Sequence, residues 1–303
     1  MTVRKDTVYE KFLSPLVNNF LIDQEAMKRF RSSIDWEAES DRLTNPTLIH
    51  PEYYTSGNFH GIEGGYLTID AAVTYDPITQ YALPPNETWV RKGLVDRIQV
   101  RPRRILDLGC GTGSMTLMLK QTFPQAEVIG IDLSPYMLVC AEAKAKTAGL
   151  NIQWRHGNAE KTGFPDASFD LVTMALLFHE TPPQVSRSIL QEIFRLLIVG
   201  GQVVILDGNQ KTLQQTEWLT EIFEEPYIKS YARGNIDAWL GAAGFGAVES
   251  HDIWWLHQVS SAVKPLLDRD SEMILEVNHN LPNWDNDSGH FPTPAYYLYS
   301  NQE

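Results

Sequence analysis

Between Arg104 and Asp207, short apolar runs alternate with stretches in which apolar residues return every three or four positions. Arg104-Ile-Leu-Asp-Leu108, Glu127-Val-Ile-Gly-Ile-Asp132, Ile152-Gln-Trp-Arg155, Phe169 to about Leu176, and Gln202-Val-Val-Ile-Leu-Asp207 have the length of strands. Their nearly continuous apolar character predicts strands of a parallel sheet covered on both faces. The intervening segments read as helices. One follows Gly113 and stops before Pro124. A second opens with Ser134 as N-cap and Pro135 at the first helical position, and Gly149 closes it. A third carries Val185, Ile189, Ile193 and Leu197 at a spacing of four. Repeated strand–helix units of this kind predict an α/β fold with a doubly wound, mostly parallel sheet.

The flanks differ. Residues 1–100 lack the alternation; Ala26, Met27, Phe30 and Ile34 predict an amphipathic helix, and another is expected over 87–98 after Pro84-Pro85. Between them lies a segment rich in Tyr, Gly and His, from His50-Pro-Glu-Tyr-Tyr54 to His60-Gly-Ile-Glu-Gly-Gly-Tyr-Leu67. This region is expected to form a helical and loop cap on a second unit, 101–303. Beyond Asp207 the chain is aromatic and mixed, with a late strand expected at Phe245-Gly-Ala-Val-Glu249 and a terminal one at Ala295-Tyr-Tyr-Leu-Tyr299. One of these is expected to form an antiparallel C-terminal edge. A loop or lid is expected over 278–294.

Composition narrows the function. The 303 residues carry a formal net charge of −13 and no long basic run, which argues against nucleic acid as a partner. Cys110 and Cys140 have no zinc-site spacing and are expected to stay reduced, so neither a disulfide nor a metal is predicted. Apolar stretches reach only about half of the ~20 residues that a membrane span needs. With no signal-peptide pattern at the start, a cytoplasmic protein is expected. Nothing in the composition fixes an oligomeric state.

The chemistry concentrates at Ile105-Leu-Asp-Leu-Gly-Cys-Gly-Thr-Gly113. Glycines 109, 111 and 113 directly after a strand permit a sharp turn and close approach of a ligand at the crevice outside the strand ends. The spacing is G-x-G-x-G, not the G-x-G-x-x-G of a dinucleotide site, and Asp107 precedes it. That anion disfavours a pyrophosphate and suits a cationic amino acid group. Asp132, at the end of the second strand, can accept the ribose hydroxyls of an adenosine.

Asp107-Leu-Gly-Cys-Gly-Thr-Gly113 resembles the first motif of class I S-adenosylmethionine (SAM)-dependent methyltransferases, nearest the ubiquinone/menaquinone-biosynthesis-like branch. The likeness continues through Gly157-Asn-Ala-Glu160, Phe164-Pro-Asp-Ala-Ser-Phe-Asp170 and the turn Arg195 to Gly201, over about residues 100–210. Asn158 stands where that family usually has Asp. The resemblance implies a Rossmann-like fold, SAM as cofactor, S-adenosylhomocysteine as product and a small hydrophobic or aromatic acceptor methylated on O, N or C, in secondary metabolism. It implies Asp107, Gly109 and Gly111 around the methionine moiety, with Gly113 supporting the turn. Asp132 would hold the ribose, Leu133 and Met137 the adenine face, and Asn158 and Ala159 its edge. Met174 and Ala175 would lie beside the sulfonium. Tyr75-Asp76 resembles the family's Tyr-Asp that touches the cofactor.

Methyl transfer needs alignment first, and a base only where the acceptor must lose a proton. His179, just beyond the fourth strand, is the first candidate for that base, because its ordinary pKa suits proton acceptance near neutrality. His60 is a second, and Glu180 a weaker alternative. Tyr66, Tyr75 and Asp207 are expected on the substrate side. Elements within 210–294, including Trp218, Trp239, Trp254, Trp255 and Trp284, are expected to help wall the acceptor site. Two rival readings stay open: a dinucleotide-dependent oxidoreductase, and a SAM-binding protein without methyl transfer.

Overall fold

The computed structural model describes residues 23–266 apart from 57–58, 60–63, 83–84, 217, 219 and 221–224. The expected terminal strand at 295–299, the 278–294 loop, Trp284 and His60 lie outside the described residues.

Seven strands among the described residues form one sheet in the order β3-β2-β1-β4-β5-β7-β6. The ranges are β1 Arg104–Leu108, β2 Glu127–Asp132, β3 Gln153–His156, β4 Phe169–Ala175, β5 Leu197–Gly208, β6 Gly246–Ile253 and β7 His257–Val263. Strands β1 to β5 pair in parallel. Strand β7 joins β5 antiparallel, and β6 joins β7 antiparallel at the edge. The expected α/β, doubly wound, mostly parallel sheet with an antiparallel C-terminal edge is the observed one. Its order reverses between β1 and β4, so the crevice for a ligand falls at their C-terminal ends.

Two apolar clusters hold the sheet. One face packs Leu106, Leu108, Ile129 and Val172 against Ile189, Ile193 and Leu196 of helix α8 (Pro183–Leu196). The other packs Ile105, Leu171, Val204 and Val259 against Val90 and Leu94 of helix α5 (Glu87–Val95) and Met115 and Leu119 of helix α6 (Ser114–Thr122). Each buried aliphatic side chain of this size contributes roughly 1.5–3 kcal/mol. Truncating one fully buried residue such as Leu106 to Ala would cost about 2–5 kcal/mol.

Helix α7 (Pro135–Thr147) begins as its sequence requires: Ser134 Oγ accepts the Met137 N–H at 3.3 Å. The N-terminal region departs from expectation in one respect. Helix α1 (Gln24–Ser32) carries Ala26, Met27 and Phe30 but ends before Ile34, which falls in the link to α2 (Trp36–Leu43). Asp35 restarts the chain as a second N-cap, accepting the Ala38 N–H at 3.1 Å. After a single helical turn α3 (Glu52–Thr55), helix α4 (Ile69–Ala82) leads towards α5. Trp36, Tyr54, Phe59 and Tyr66 form a third cluster with Met137, Val139 and Cys140 of α7.

Candidate active site

The turn after β1 is built on left-handed glycines. A Cβ added at Gly113 (φ +81°) would lie 2.6 Å from the Trp154 ring and 2.9 Å from Ala141, so that glycine serves close packing. At Gly111 (φ +52°) a Cβ would meet nothing within 4 Å. The Gly111 backbone therefore borders open space, which suits close approach of a ligand.

That space is an open cleft at the switch point, lined by Gly109, Gly111, Asp132, Leu133, Met137, Asn158, Ala159 and Ala175, with Leu176 and Leu177 beyond β4. Asp132 ties its rim together: Oδ2 accepts the Gly111 N–H and Oδ1 the Ser134 N–H, both at 2.8 Å. Burial raises its carboxyl pKa to about 6 against the lowering effect of these two bonds. Asn158 Oδ1 accepts the Glu160 N–H at 2.8 Å, and an amide oxygen has a second lone pair.

A smaller adjoining recess is lined by Tyr75, Arg91, Asp107, Gly109, Gly111, Thr112 and Ser114, among others. Asp107 accepts hydroxyl bonds from Thr116 at 2.6 Å and Thr173 at 2.7 Å. Burial raises its pKa to about 6, opposed by those bonds and by the charge of Arg91. The donor set fits a zwitterionic amino acid tail: the Asp107 carboxylate suits an ammonium and the Arg91 guanidinium a carboxylate. Sequence reasoning missed Arg91. The signal was present, because Glu87, Val90, Arg91 and Leu94 share one helical face, and an arginine there is forced inward beside its Glu87 partner at 2.7 Å. The Tyr75-Asp76 pair divides its work. Tyr75 lines both spaces, while Asp76 accepts from Thr112 Oγ1 at 2.5 Å and Lys144 Nζ at 2.6 Å, fastening α4 to the glycine turn.

The acceptor side departs further from expectation. Its aromatic wall comes from the N-terminal cap: Tyr53, Tyr54, Phe59, Tyr66 and Tyr75 line the cleft. Phe59 stacks on Tyr66 at 5.4 Å, and Tyr66 meets Tyr75 edge-on at 6.0 Å. Among the described residues, none beyond Ile189 lines it. Trp218, Trp254 and Trp255 are exposed, and Trp239 packs against Phe178 and Tyr231. Indoles at these places find apolar neighbours or solvent away from the cleft.

Asp207 is not a cleft residue either. It is fully buried, and its oxygens accept the Phe178 N–H at 2.8 Å, the Gly208 N–H at 2.7 Å and His179 Nδ1–H at 2.6 Å. The carboxylate thereby holds the single 3-10 turn Phe178–Glu180 in place. Met174 is fully buried and absent from the lining; Ala175, one residue on, faces both spaces. His179 points to Asp207 and Tyr231, and is likewise absent from the lining. Burial pushes its imidazole down, but the charge and hydrogen bond of Asp207, with Glu180 and Glu225, outweigh it and raise the pKa to about 9. The expected neutral imidazole is thus an imidazolium at neutral pH. Glu180, the weaker alternative from the sequence, is the member of this turn that lines the cleft, with Tyr66 donating to its Oε1 at 2.7 Å.

Among the described residues no group of His, Cys, Asp and Glu is placed to hold a metal, and no helix is long and apolar enough to cross a membrane.

Residues 105–201 match a family model described as a methyltransferase domain. The chain is 40% identical over 119 residues to a demethylmenaquinone methyltransferase of Thermus thermophilus, covering 39% of this chain and 53% of that one. It is 36% identical over 137 residues to a demethylmenaquinone methyltransferase of Deinococcus radiodurans, covering 45% and 56%. The chain thus spans little more than half the length of these curated relatives. In fold it is similar to phosphoethanolamine N-methyltransferase 2 of Haemonchus contortus, solved with SAM, with a TM-score of 0.55 and 16% identity, covering 74% of this chain and 62% of that one. Through its glycine turn, its two acidic strand residues and the matched segment 105–201, this chain carries a SAM-dependent methyltransferase domain, similar in sequence to demethylmenaquinone methyltransferases.

Proposed function

We propose that the protein transfers the methyl group of SAM to a small, uncharged aromatic acceptor of the quinol class. The observation that carries this reading is the continuity of the two spaces. A recess with Asp107 and Arg91 suits the methionine tail, and it adjoins a cleft whose far wall is tyrosine and phenylalanine. Bound SAM supplies an activated methyl group on a sulfonium. The chain's own task is to hold the cofactor, align the acceptor and exclude water.

Asp107 and Arg91 would hold the two ends of the amino acid, Asp132 the ribose, and Leu133, Met137, Asn158 and Ala159 the adenine. No lysine or arginine lines the aromatic cleft among the described residues, so its chemistry favours a neutral ring over a phosphate or carboxylate ester. The names of the curated relatives support the same acceptor class. A role in secondary metabolism and a cytoplasmic location are compatible proposals.

Calorimetry with SAM, S-adenosylhomocysteine and NADH tests the cofactor. Micromolar binding of the first two with none of the third is expected, and Asp132→Ala should abolish it. Binding of NADH alone would return the dinucleotide reading. SAM binding without turnover of any quinol would favour a protein that binds the cofactor and does not methylate.

A further inference from the structure

Resting on that reading, we propose that Glu180 is the catalytic residue that takes the acceptor's hydroxyl proton, with Tyr66 as the residue that positions its carboxylate. A quinol ring attacks a methyl group well only as its hydroxyl loses its proton, so a carboxylate beside the acceptor has a defined task.

The geometry selects Glu180 from the groups near the cleft. It lines the cleft, stands on the rigid turn Phe178–Glu180 and accepts the Tyr66 hydroxyl at 2.7 Å. The titratable groups facing it come from several elements: Tyr54, Tyr66 and Tyr75 from the cap, Asp132 from β2, His179 from its own turn, and Glu225. The three tyrosines are buried and hold their protons well above the ordinary phenol range, so they donate hydrogen bonds and accept no proton. Asp132 is engaged by the Gly111 and Ser134 N–H groups at the cofactor's edge. His179 already carries its proton at neutral pH, and its Nε2 lies 3.8 Å from Glu180 Oε1. It therefore supplies positive charge behind the carboxylate, and the buried Asp207 anchors it in turn.

The step balances as follows. The acceptor O–H bond breaks and its proton goes to a Glu180 carboxylate oxygen. The electron pair left on oxygen moves into the ring, and the ring carbon forms a bond to the methyl carbon. The C–S bond breaks with its pair retained by sulfur, giving the thioether of S-adenosylhomocysteine. Loss of the ring C–H proton with return of a proton to oxygen restores the aromatic diol, so one proton leaves per turnover, through Glu180 to water. No oxidant or reductant is consumed, because the acceptor enters and leaves as the two-electron-reduced quinol.

The test uses full-length protein, SAM and 1,4-naphthohydroquinone under anaerobic reducing conditions. Glu180→Gln should lower kcat by about a hundredfold or more, the usual scale of general-base catalysis, with KM changed less than about threefold. Its SAM affinity, measured by calorimetry, should stay within about twofold of wild type, which also reports that the variant folds. Tyr66→Phe keeps the stacked ring and should lower kcat by about tenfold. Glu180→Ala should regain activity in added formate, a response that a merely structural carboxylate would not give. A Glu180→Gln enzyme within about threefold of wild type, or no formate rescue, overturns the assignment while leaving the methyltransferase reading intact. A wild-type protein that binds SAM yet leaves the naphthohydroquinone unmethylated also overturns it. Failure of wild type to bind SAM at all removes the underlying reading instead.

Discussion

His179 Nδ1–H donates to Asp207 Oδ1 across 2.6 Å, joining the turn after β4 to the last residues of β5. The imidazole pKa lies near 9, above its ordinary value of about 6.5, because the carboxylate outweighs burial. A raised folded-state value means the pair stabilises the fold fully below about pH 6.5, and the contribution fades as pH rises through about 9. Asp207→Asn should cost about 3 kcal/mol at pH 6, in the range for breaking a buried ion pair from one side. Urea unfolding at pH 6 and pH 10 measures it. The gap between wild type and variant should narrow at pH 10, and an equal gap at both values would remove the ion pair as its cause.

Cofactor affinity should depend on pH through Asp107 and Asp132. Burial raises both to about 6, and in the proposed roles each is ionised to hold the ammonium or the ribose hydroxyls. The dissociation constant for SAM is therefore expected to be flat from pH 7 to 9 and to rise below about pH 6. By pH 5 the loss should approach a hundredfold if both groups protonate, about tenfold for each. Calorimetry across pH 5 to 9 reads the curve, and a flat profile would separate these carboxylates from the cofactor.

The three glycines of the turn should not behave alike. Gly111 borders open cleft, so Gly111→Val puts its branches where the cofactor would lie and strains a left-handed residue, at about 1–2 kcal/mol. SAM binding should vanish while most of the stability remains. Gly113→Ala drives a methyl into Trp154 and Ala141, and should cost about 2–3 kcal/mol of stability. Thermal unfolding and calorimetry on both variants separate the effects. If Gly113→Ala is as stable as wild type, the packing account of that glycine fails.

The same division between local and assembled features explains what was legible in the sequence. Strands β1, β2 and β4 are buried on both faces, so their apolar runs announced them, and Ser134-Pro135 marked the start of α7 by local chemistry. Strand β7 reads His257-Gln-Val-Ser-Ser-Ala-Val and gives no apolar pattern, yet it is buried between β5 and β6. Two of its polar side chains find their partners only in the folded sheet, Gln258 Oε1 with the Gln210 N–H at 3.0 Å and Ser260 with Ser250 at 2.5 Å. The glycine turn after β1 is contiguous in sequence, so its geometry was readable. The aromatic wall is not: Tyr53, Phe59 and Tyr75 reach the cleft only because the cap packs on α7. Asp207 sits at a strand end that commonly faces a ligand, but the turn carrying His179 folds over it.

One further contact couples that cap to Leu133 at the cleft. The Asn45 N–H donates to His156 Nδ1 at 2.9 Å, and His156 Nε2–H donates to Leu133 O at 2.9 Å. His50 Nε2–H donates to the same carbonyl at 2.8 Å while its ring stacks on Tyr54. This arrangement uses His156 as a neutral imidazole, since a protonated Nδ1 has no lone pair for the Asn45 N–H. Burial lowers its pKa below 6.5, with the Leu133 hydrogen bond opposing and the nearby His50 adding to the fall. A depressed folded-state value means the contribution is present above about pH 6.5 and is lost as pH falls through the lowered value. The segment from Asn45 to Tyr54 should therefore loosen in mild acid, exposing Leu133 and the cleft. Hydrogen exchange should show faster amide exchange over 45–54 at pH 5 than at pH 7.5, after correction for the intrinsic rate. His156→Ala should reproduce that loosening at pH 7.5 and cost about 1–2 kcal/mol, the scale of two lost hydrogen bonds. Exchange that is equal in wild type and His156→Ala at pH 7.5 would detach the cap from this imidazole.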